Sequence, residues 1–227
     1  MNLYAIPTPL GGAPDEVLPS SVLATVRTLK DFAVENAKSA RAFLSAVGMP
    51  VPIREINIRE FETEVGSLLQ PLREGRPLGL LSEAGCPAIA DPGAALVEAA
   101  HGEGFRVVPL VGPSSITLAL MASGLEGQRF AFCGYLPREP KDRARRIREL
   151  EARSKKEDET EIFIETPYRS DALLGALLET CGAETRLCLA VDLTLPGETI
   201  ATKSVAQWRG LKYSIGRRPA VFLFCSP

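Results

Sequence analysis

The chain has 227 residues, 45% hydrophobic and 24% charged, and 26 basic against 28 acidic side chains leave a net charge of −2. That apolar share excludes wholesale disorder and suits one large α/β domain or two smaller ones, while the balanced charge supplies no general pull toward nucleic acid or anionic membrane. Five scattered cysteines without a CxxC pair argue against a zinc site or disulfide framework and suit a reducing cytoplasm, and neither a secretory leader nor an 18-residue apolar run is present.

Short apolar runs alternate with stretches of helical spacing. Strands are expected at Leu3–Ile6, Asp31–Glu35, Ile53–Ile58, Leu78–Leu81 and Arg106–Leu110, with helices at Ser20–Leu29, Ser39–Val47, Glu62–Leu72 and Pro92–Gly104 between them. In the third helix Val65, Leu68, Leu69 and Leu72 recur at i, i+3, i+4 and i+7, one face of a helix. Such alternation implies βαβ crossovers and an open, mainly parallel sheet. The pattern breaks at Val111-Gly112-Pro113-Ser114-Ser115, where Pro113 and the serines suit a helix start over Ile116–Ser123. The second half offers strands at Phe130–Cys133, Glu161–Glu165, Arg186–Val191 and Ala220–Cys225, and helices at Asp142–Lys156, Ser170–Cys181 and Ser204–Arg209. The domains are therefore expected to be residues 1–111 and 112–227.

Four loops rich in Gly, Pro and small polar residues follow apolar strands: Pro7–Gly12, Ser82–Gly93, Val111–Ser115 and Glu165–Arg169. Ligands of open α/β sheets bind at the carboxyl ends of the strands, so these loops are where a site is expected. No GxGxxG, GxxxxGK[ST] or GxSxG occurs, which argues against dinucleotide, P-loop and α/β-hydrolase sites. The sole histidine, His101, has no partner motif and is expected on the surface; Trp208 and Phe222 are expected in the core.

Together these loops resemble one family. The run Leu80-Leu81-Ser82-Glu83-Ala84-Gly85-Cys86-Pro87-Ala88-Ile89-Ala90-Asp91-Pro92-Gly93 is similar to the "VSDAGTPGISDPG" segment of the tetrapyrrole-methylase superfamily, in its bacterial small-subunit ribosomal RNA cytidine 2′-O-methyltransferase branch. Four further stretches match in order: Tyr4–Gly11 resembles "LVPTPIGN", Val111–Ser115 "PGPSA", Gly134–Arg138 "GFLPRK" and Ile162–Arg169 "IFYESPHR".

The resemblance implies two α/β domains, an N-terminal open, mainly parallel sheet and a C-terminal mixed sheet, with S-adenosylmethionine in a cleft between them, and a homodimer. It would set Pro9, Ser82, Gly85, Cys86 and Ile89 along the methyl donor, with Ser114 and Ser115 opposite and Ile164 and Ala220 from the second domain; no metal is implied. Small residues make sense there because backbone groups can then approach the ligand. Three departures leave the acceptor open between an RNA ribose hydroxyl and a small molecule such as a tetrapyrrole. Glu35-Asn36-Ala37-Lys38 stands where that branch carries "EDTR", Leu193–Glu198 stands for "LTKLHEE", and the branch continues beyond the position of Pro227.

Methyl transfer from a sulfonium is an in-line displacement, so positioning and exclusion of water do most of the work. A hydroxyl or amine acceptor must also lose a proton, which makes Glu35, Glu83, Asp91 and Glu165 candidate general bases. Glu165 could equally pair with Arg169, four residues on. Asp91, just before Pro92, is expected to cap the helix that follows. Cys86 is the thiol nearest the expected donor. The basic stretch Arg138–Lys156 is either an RNA-binding surface or a solvated amphipathic helix, its apolar stripe being Ala144, Ile147 and Leu150. The alternative from another class is a non-catalytic module that binds S-adenosylmethionine or S-adenosylhomocysteine and acts through a protein partner.

Overall fold

The computed structural model describes residues 1–61 and 64–227, and the chain divides into two compact units, Met1–Ser114 and Ser115–Pro227. The division falls at the start of a helix, three residues beyond the boundary expected after residue 111.

The first unit runs β1 (Asn2–Ile6), α1 (Pro14–Val17), α2 (Ser20–Arg27), β2 (Asp31–Val34), α3 (Ala37–Val47), β3 (Asn57–Glu60), α4 (Val65–Leu68), α5 (Gln70–Arg73), β4 (Leu78–Leu81), α6 (Ala94–Gly102) and β5 (Arg106–Pro109). Its five strands lie in the order β3-β2-β4-β1-β5, every described pairing parallel. Separate apolar clusters cover the two faces, one around Ile6, Val26, Phe32 and Leu44, the other around Leu3, Leu69, Leu80 and Leu96. A sheet covered on both sides explains why β4 is apolar at every position and buried throughout. Gly79 sits in that strand because an added Cβ would lie 2.6 Å from the Phe32 ring and 2.9 Å from Ile6 Cδ1.

Two expectations for this unit are corrected. The strand expected over Ile53–Ile58 begins only at Asn57; Ile53–Glu55 is a single 3-10 turn, whose spacing sends Ile53 and Ile56 to the same apolar cluster. The helix expected over Glu62–Leu72 starts outside the described residues, and its remainder is two single turns, α4 and α5. Pro71 lacks the N–H that would bond back four residues. The vacated carbonyls are taken by arginines instead: Arg59 Nη1 donates to Ser67 O at 3.2 Å and Arg73 Nη1 to Gly66 O at 2.8 Å.

The second unit runs α7 (Ser115–Ser123), β6 (Phe130–Tyr135), α8 (Pro140–Glu157), β7 (Thr160–Glu165), α9 (Ser170–Thr180), β8 (Arg186–Val191), β9 (Thr199–Ser204), α10 (Val205–Arg209) and β10 (Ala220–Cys225). Strand order is β6-β7-β10-β8-β9, with β6 and β7 parallel and the other pairs antiparallel, a mixed sheet. Its core joins Phe163, Phe222 and Phe224 to Trp208, whose Nε1 donates to Leu187 O at 2.8 Å. Strand β9 went unseen in the sequence because Thr199-Ile200-Ala201-Thr202-Lys203-Ser204 is a half-buried edge strand with little apolar alternation.

Candidate active site

In a parallel sheet every strand ends on the same edge, and in the first unit three of the loops leaving that edge are tied together. Thr8 N donates to Gly85 O at 2.9 Å and Gly85 N to Thr8 O at 3.0 Å, joining the loops after β1 and β4. Thr8 Oγ1 also reaches Ser82 O at 3.4 Å. The loop after β5 closes on both: Cys86 Sγ donates to Pro113 O at 3.4 Å, and a Cβ on Gly112 would fall 2.2 Å from Pro7 Cγ, so only glycine fits.

The loop after β4 stores backbone strain. Gly85, Ala88, Ala90 and Gly93 have φ of 80°, 65°, 65° and 128°, and for the two alanines the left-handed conformation costs on the order of 1–2 kcal/mol each. Ala88 N donates to Pro92 O at 3.3 Å and Ile89 N to Cys86 O at 3.4 Å, holding that shape. Ser82, 6% exposed, keeps its hydroxyl buried beside the Asp91 carboxyl.

Three carboxylates gather beside this loop. Glu35 Oε2 accepts from Glu83 N at 3.0 Å, and Glu83 Oε1 from Ser39 Oγ at 3.3 Å. Burial first, then the charges of Glu35 and Glu83, push the Asp91 carboxyl above the usual range; the nearby Ser82 hydroxyl draws it back only in part. The expected capping role of Asp91 is overturned, since Gly93 occupies the N-cap position of α6 and no side chain bonds its end. Asp91 instead lines a hollow of about 330 Å³ with Phe61, Val65, Leu68 and Leu96. Asn36, where the resembling branch has an acid, caps α3: its Oδ1 accepts from Lys38 N at 2.8 Å and Ser39 N at 3.2 Å. Asn and Asp serve equally well at an N-cap, so that departure is locally conservative.

The remaining expected residues are dispersed. Pro9 and Cys86 are half-buried and Gly85 is buried, whereas Ile89 is 50% exposed. Burial raises the Cys86 thiol above its ordinary value, which opposes the thiolate a nucleophile needs. Ser114 ends the first unit and Ser115 opens α7, which packs on β10. Ile164 and Ala220 are neighbours across β7 and β10, where Val221 pairs with Ile164 and Ala220 with Glu165. The Glu165 carboxylate is fully buried, with Oε1 accepting from Thr166 N at 2.7 Å and Oε2 lying 2.7 Å from Arg169 Nη2. That pair meets charge to charge without an aligned N–H. His101 is exposed.

The model of the Tetrapyrrole (Corrin/Porphyrin) Methylases matches residues 20–208. The Ribosomal RNA small subunit methyltransferase I of Pasteurella multocida is 33% identical over 92% of this chain and 73% of its own length. The chain belongs to the tetrapyrrole methylase family. The enzyme of the same name from Escherichia coli O157:H7 is 33% identical over 88% of this chain and 68% of its own. Two solved structures share the fold. The uroporphyrin-III-C-methyltransferase from Thermus thermophilus has a TM-score of 0.59 at 20% identity, covering 99% of this chain and 94% of its own. The methyltransferase CobJ has 0.62 at 16%, covering 100% and 98%. This tetrapyrrole methylase is thus an S-adenosylmethionine-dependent methyltransferase, and nothing supports the non-catalytic alternative.

Proposed function

We propose that this methyltransferase acts on a ribose hydroxyl of small-subunit ribosomal RNA, with the Ser82–Gly93 loop as the heart of the donor site. The observation that carries the acceptor is the contrast in likeness: relatives named for small-subunit ribosomal RNA reach 33% identity over about nine-tenths of the chain, whereas the solved uroporphyrin enzyme and CobJ reach only 20% and 16%.

The loop residues fit S-adenosylmethionine. Gly85 is closely walled, an added Cβ falling 3.2 Å from Leu10 Cδ2, and the Ser82 hydroxyl lies buried beside Asp91. Glu35, Glu83 and Asp91 place negative charge where a sulfonium is welcome, without a basic side chain to oppose it among the hydrogen bonds and charges that act on them. When bound, that group supplies an activated methyl. Pro9, Ser82, Gly85, Cys86, Ile89 and Ser114 would hold it in the first unit.

Among the carboxylates, Asp91 is our candidate proton acceptor for a ribose hydroxyl: it lines the hollow beside the loop, and burial with the charges of Glu35 and Glu83 raises its pKa, which strengthens it as a base. Glu35 and Glu83 keep that carboxylate basic through their charge. Glu165 holds its own loop to Arg169 and is assigned no proton. The exposed residues Arg138, Lys141, Arg148 and Lys155, along α8 and its approach, make no ion pair among the described residues and would meet RNA phosphates. Arg145 and Arg146 are already paired, to Asp142 and Glu149.

A cytoplasmic homodimer belongs to the same proposal. Five unpaired cysteines suit a reducing compartment. Helix α7 is apolar nearly all round and leaves Met121 80% exposed, a surface that a second copy would cover.

Incubating the enzyme with methyl-labelled S-adenosylmethionine and small ribosomal subunits from a strain lacking this protein tests the proposal. Label in a ribose 2′-hydroxyl, falling steeply with added salt, is expected. Label on uroporphyrinogen-type substrates with none on the subunits would overturn it.

A further inference from the structure

The second unit carries an aromatic and cationic ledge. Strands β6 and β7 are parallel, with Tyr135 beside Ile164, and β10 runs antiparallel with Ala220 opposite Glu165. The last residue of β6, the loop after β7 and the approach to β10 therefore share one edge of the sheet. Tyr135 is 58% exposed there and Tyr168 79%, and the Arg217 guanidinium lies 5.3 Å from the centre of the Tyr168 ring.

The guanidinium is attracted to the face of the exposed ring, and the segments that carry the two are fixed. On the Tyr168 side, Arg169 N donates to Thr166 O at 2.9 Å and Glu165 pins Arg169, which fixes the turn. On the Arg217 side, the Asp171 carboxylate in the first turn of α9 accepts from Ile215 N at 2.7 Å, Ser214 Oγ at 2.8 Å and Gly216 N at 3.2 Å. The neighbouring Arg218 donates to Ile215 O at 2.8 Å and faces Asp192 at 3.6 Å. The residues flanking both partners are thus held by hydrogen bonds to α9 and its preceding loop, which fixes the segments that carry the arginine and the ring. Arg138, exposed and three residues beyond Tyr135, adds positive charge to the same edge.

We infer that Tyr168, held by Arg217, is a stacking platform for an unpaired base of the substrate RNA, with Tyr135 and Arg138 extending the track. Aromatic rings stack any base through its π-face, and arginine adds both cation–π attraction and phosphate contact. This inference rests on the ribosomal RNA reading above.

The test measures methyl transfer to small ribosomal subunits from a strain lacking the protein, using wild type, Tyr168→Ala, Tyr168→Phe and Arg217→Ala, with S-adenosylmethionine affinity and thermal melting recorded for each. Tyr168→Ala should raise KM for the subunits about 5- to 100-fold, the range of one lost base stack, with donor affinity and melting unchanged. Tyr168→Phe should restore most of that loss, and Arg217→Ala should raise KM by a smaller factor. Subunits labelled by wild type and by Tyr168→Ala with equal KM would overturn the platform alone. Subunits that wild type leaves unlabelled would overturn the ribosomal RNA reading, and the platform with it. A loss in Tyr168→Ala that appears with a uroporphyrinogen-type substrate and not with RNA would reassign the ledge to a flat macrocycle and overturn it too.

Discussion

Both units set carboxylates near a strand end, yet the two arrangements differ in what completes them. In the second unit Glu161 and Glu165 are fully buried and each has an arginine. Arg153 Nε donates to Glu161 Oε1 at 2.7 Å and its Nη2 closes on the other oxygen, beside the Cys133 thiol. Burial and the Glu161 charge drive that thiol up to about 11, so it is inert. In the first unit Glu35, Glu83 and Asp91 form no ion pair with an arginine among the described residues; they share backbone and serine contacts and sit beside strained alanines. Charge that is neutralised builds a fold. Charge left uncompensated next to strain marks the place where a ligand completes the structure.

Substitution can break or sharpen this contrast, and the largest effect is expected at Asp91. Asp91→Asn should lower kcat about 10²- to 10³-fold with donor affinity nearly unchanged, measured by single-turnover methyl transfer and calorimetry. The linkage has a definite sign. A carboxyl whose pKa is raised on folding adds stability as pH falls through its folded value and is a penalty at neutral pH, so Asp91→Asn should melt higher than wild type at pH 7 and lose that pH dependence. A lower melting temperature for Asp91→Asn at pH 7 would erase the distinction between the two carboxylate groups.

Arg153→Ala should destabilise the second unit by about 3 kcal/mol, read from denaturant unfolding, because the fully buried Glu161 carboxylate loses the partner that compensates its charge. Gly79→Ala probes the scaffold instead and should cost about 2 kcal/mol by forcing Phe32 and Ile6 apart. The smallest change is expected at Cys86: with its thiol raised by burial, Cys86→Ala should alter kcat by less than about 3-fold. A large loss there would make the thiol chemical after all.

Periodicity made most strands and helices legible, because a doubly covered sheet demands apolar runs such as Leu78–Leu81 and long helices demand apolar stripes such as Ile147 and Leu150. The misses have local causes. Pro71 split a helix whose apolar face looked unbroken, the 3-10 turn at Ile53–Glu55 used the same isoleucines that a strand would, and β9 lies on an edge where little burial is required. Within the site, the Gly and Pro loops were visible as motifs because their residue types answer to backbone geometry. The partnership of Glu165 with Arg169 was visible as one of two options because it is spaced like a helix pair.

By itself, then, the order of residues determined the strands, most helices, the family and the Gly- and Pro-rich loops at the strand ends, since each depends on neighbours a few positions away. Only the tertiary structure decided which carboxylates are neutralised, that Asp91 leaves the helix cap to Gly93 and joins Glu35 and Glu83, and that Arg217 comes to rest over Tyr168. Those outcomes turn on electrostatic and stacking contacts between residues up to 56 positions apart, such as Glu35 and Asp91, and such contacts exist only once the sheets have formed.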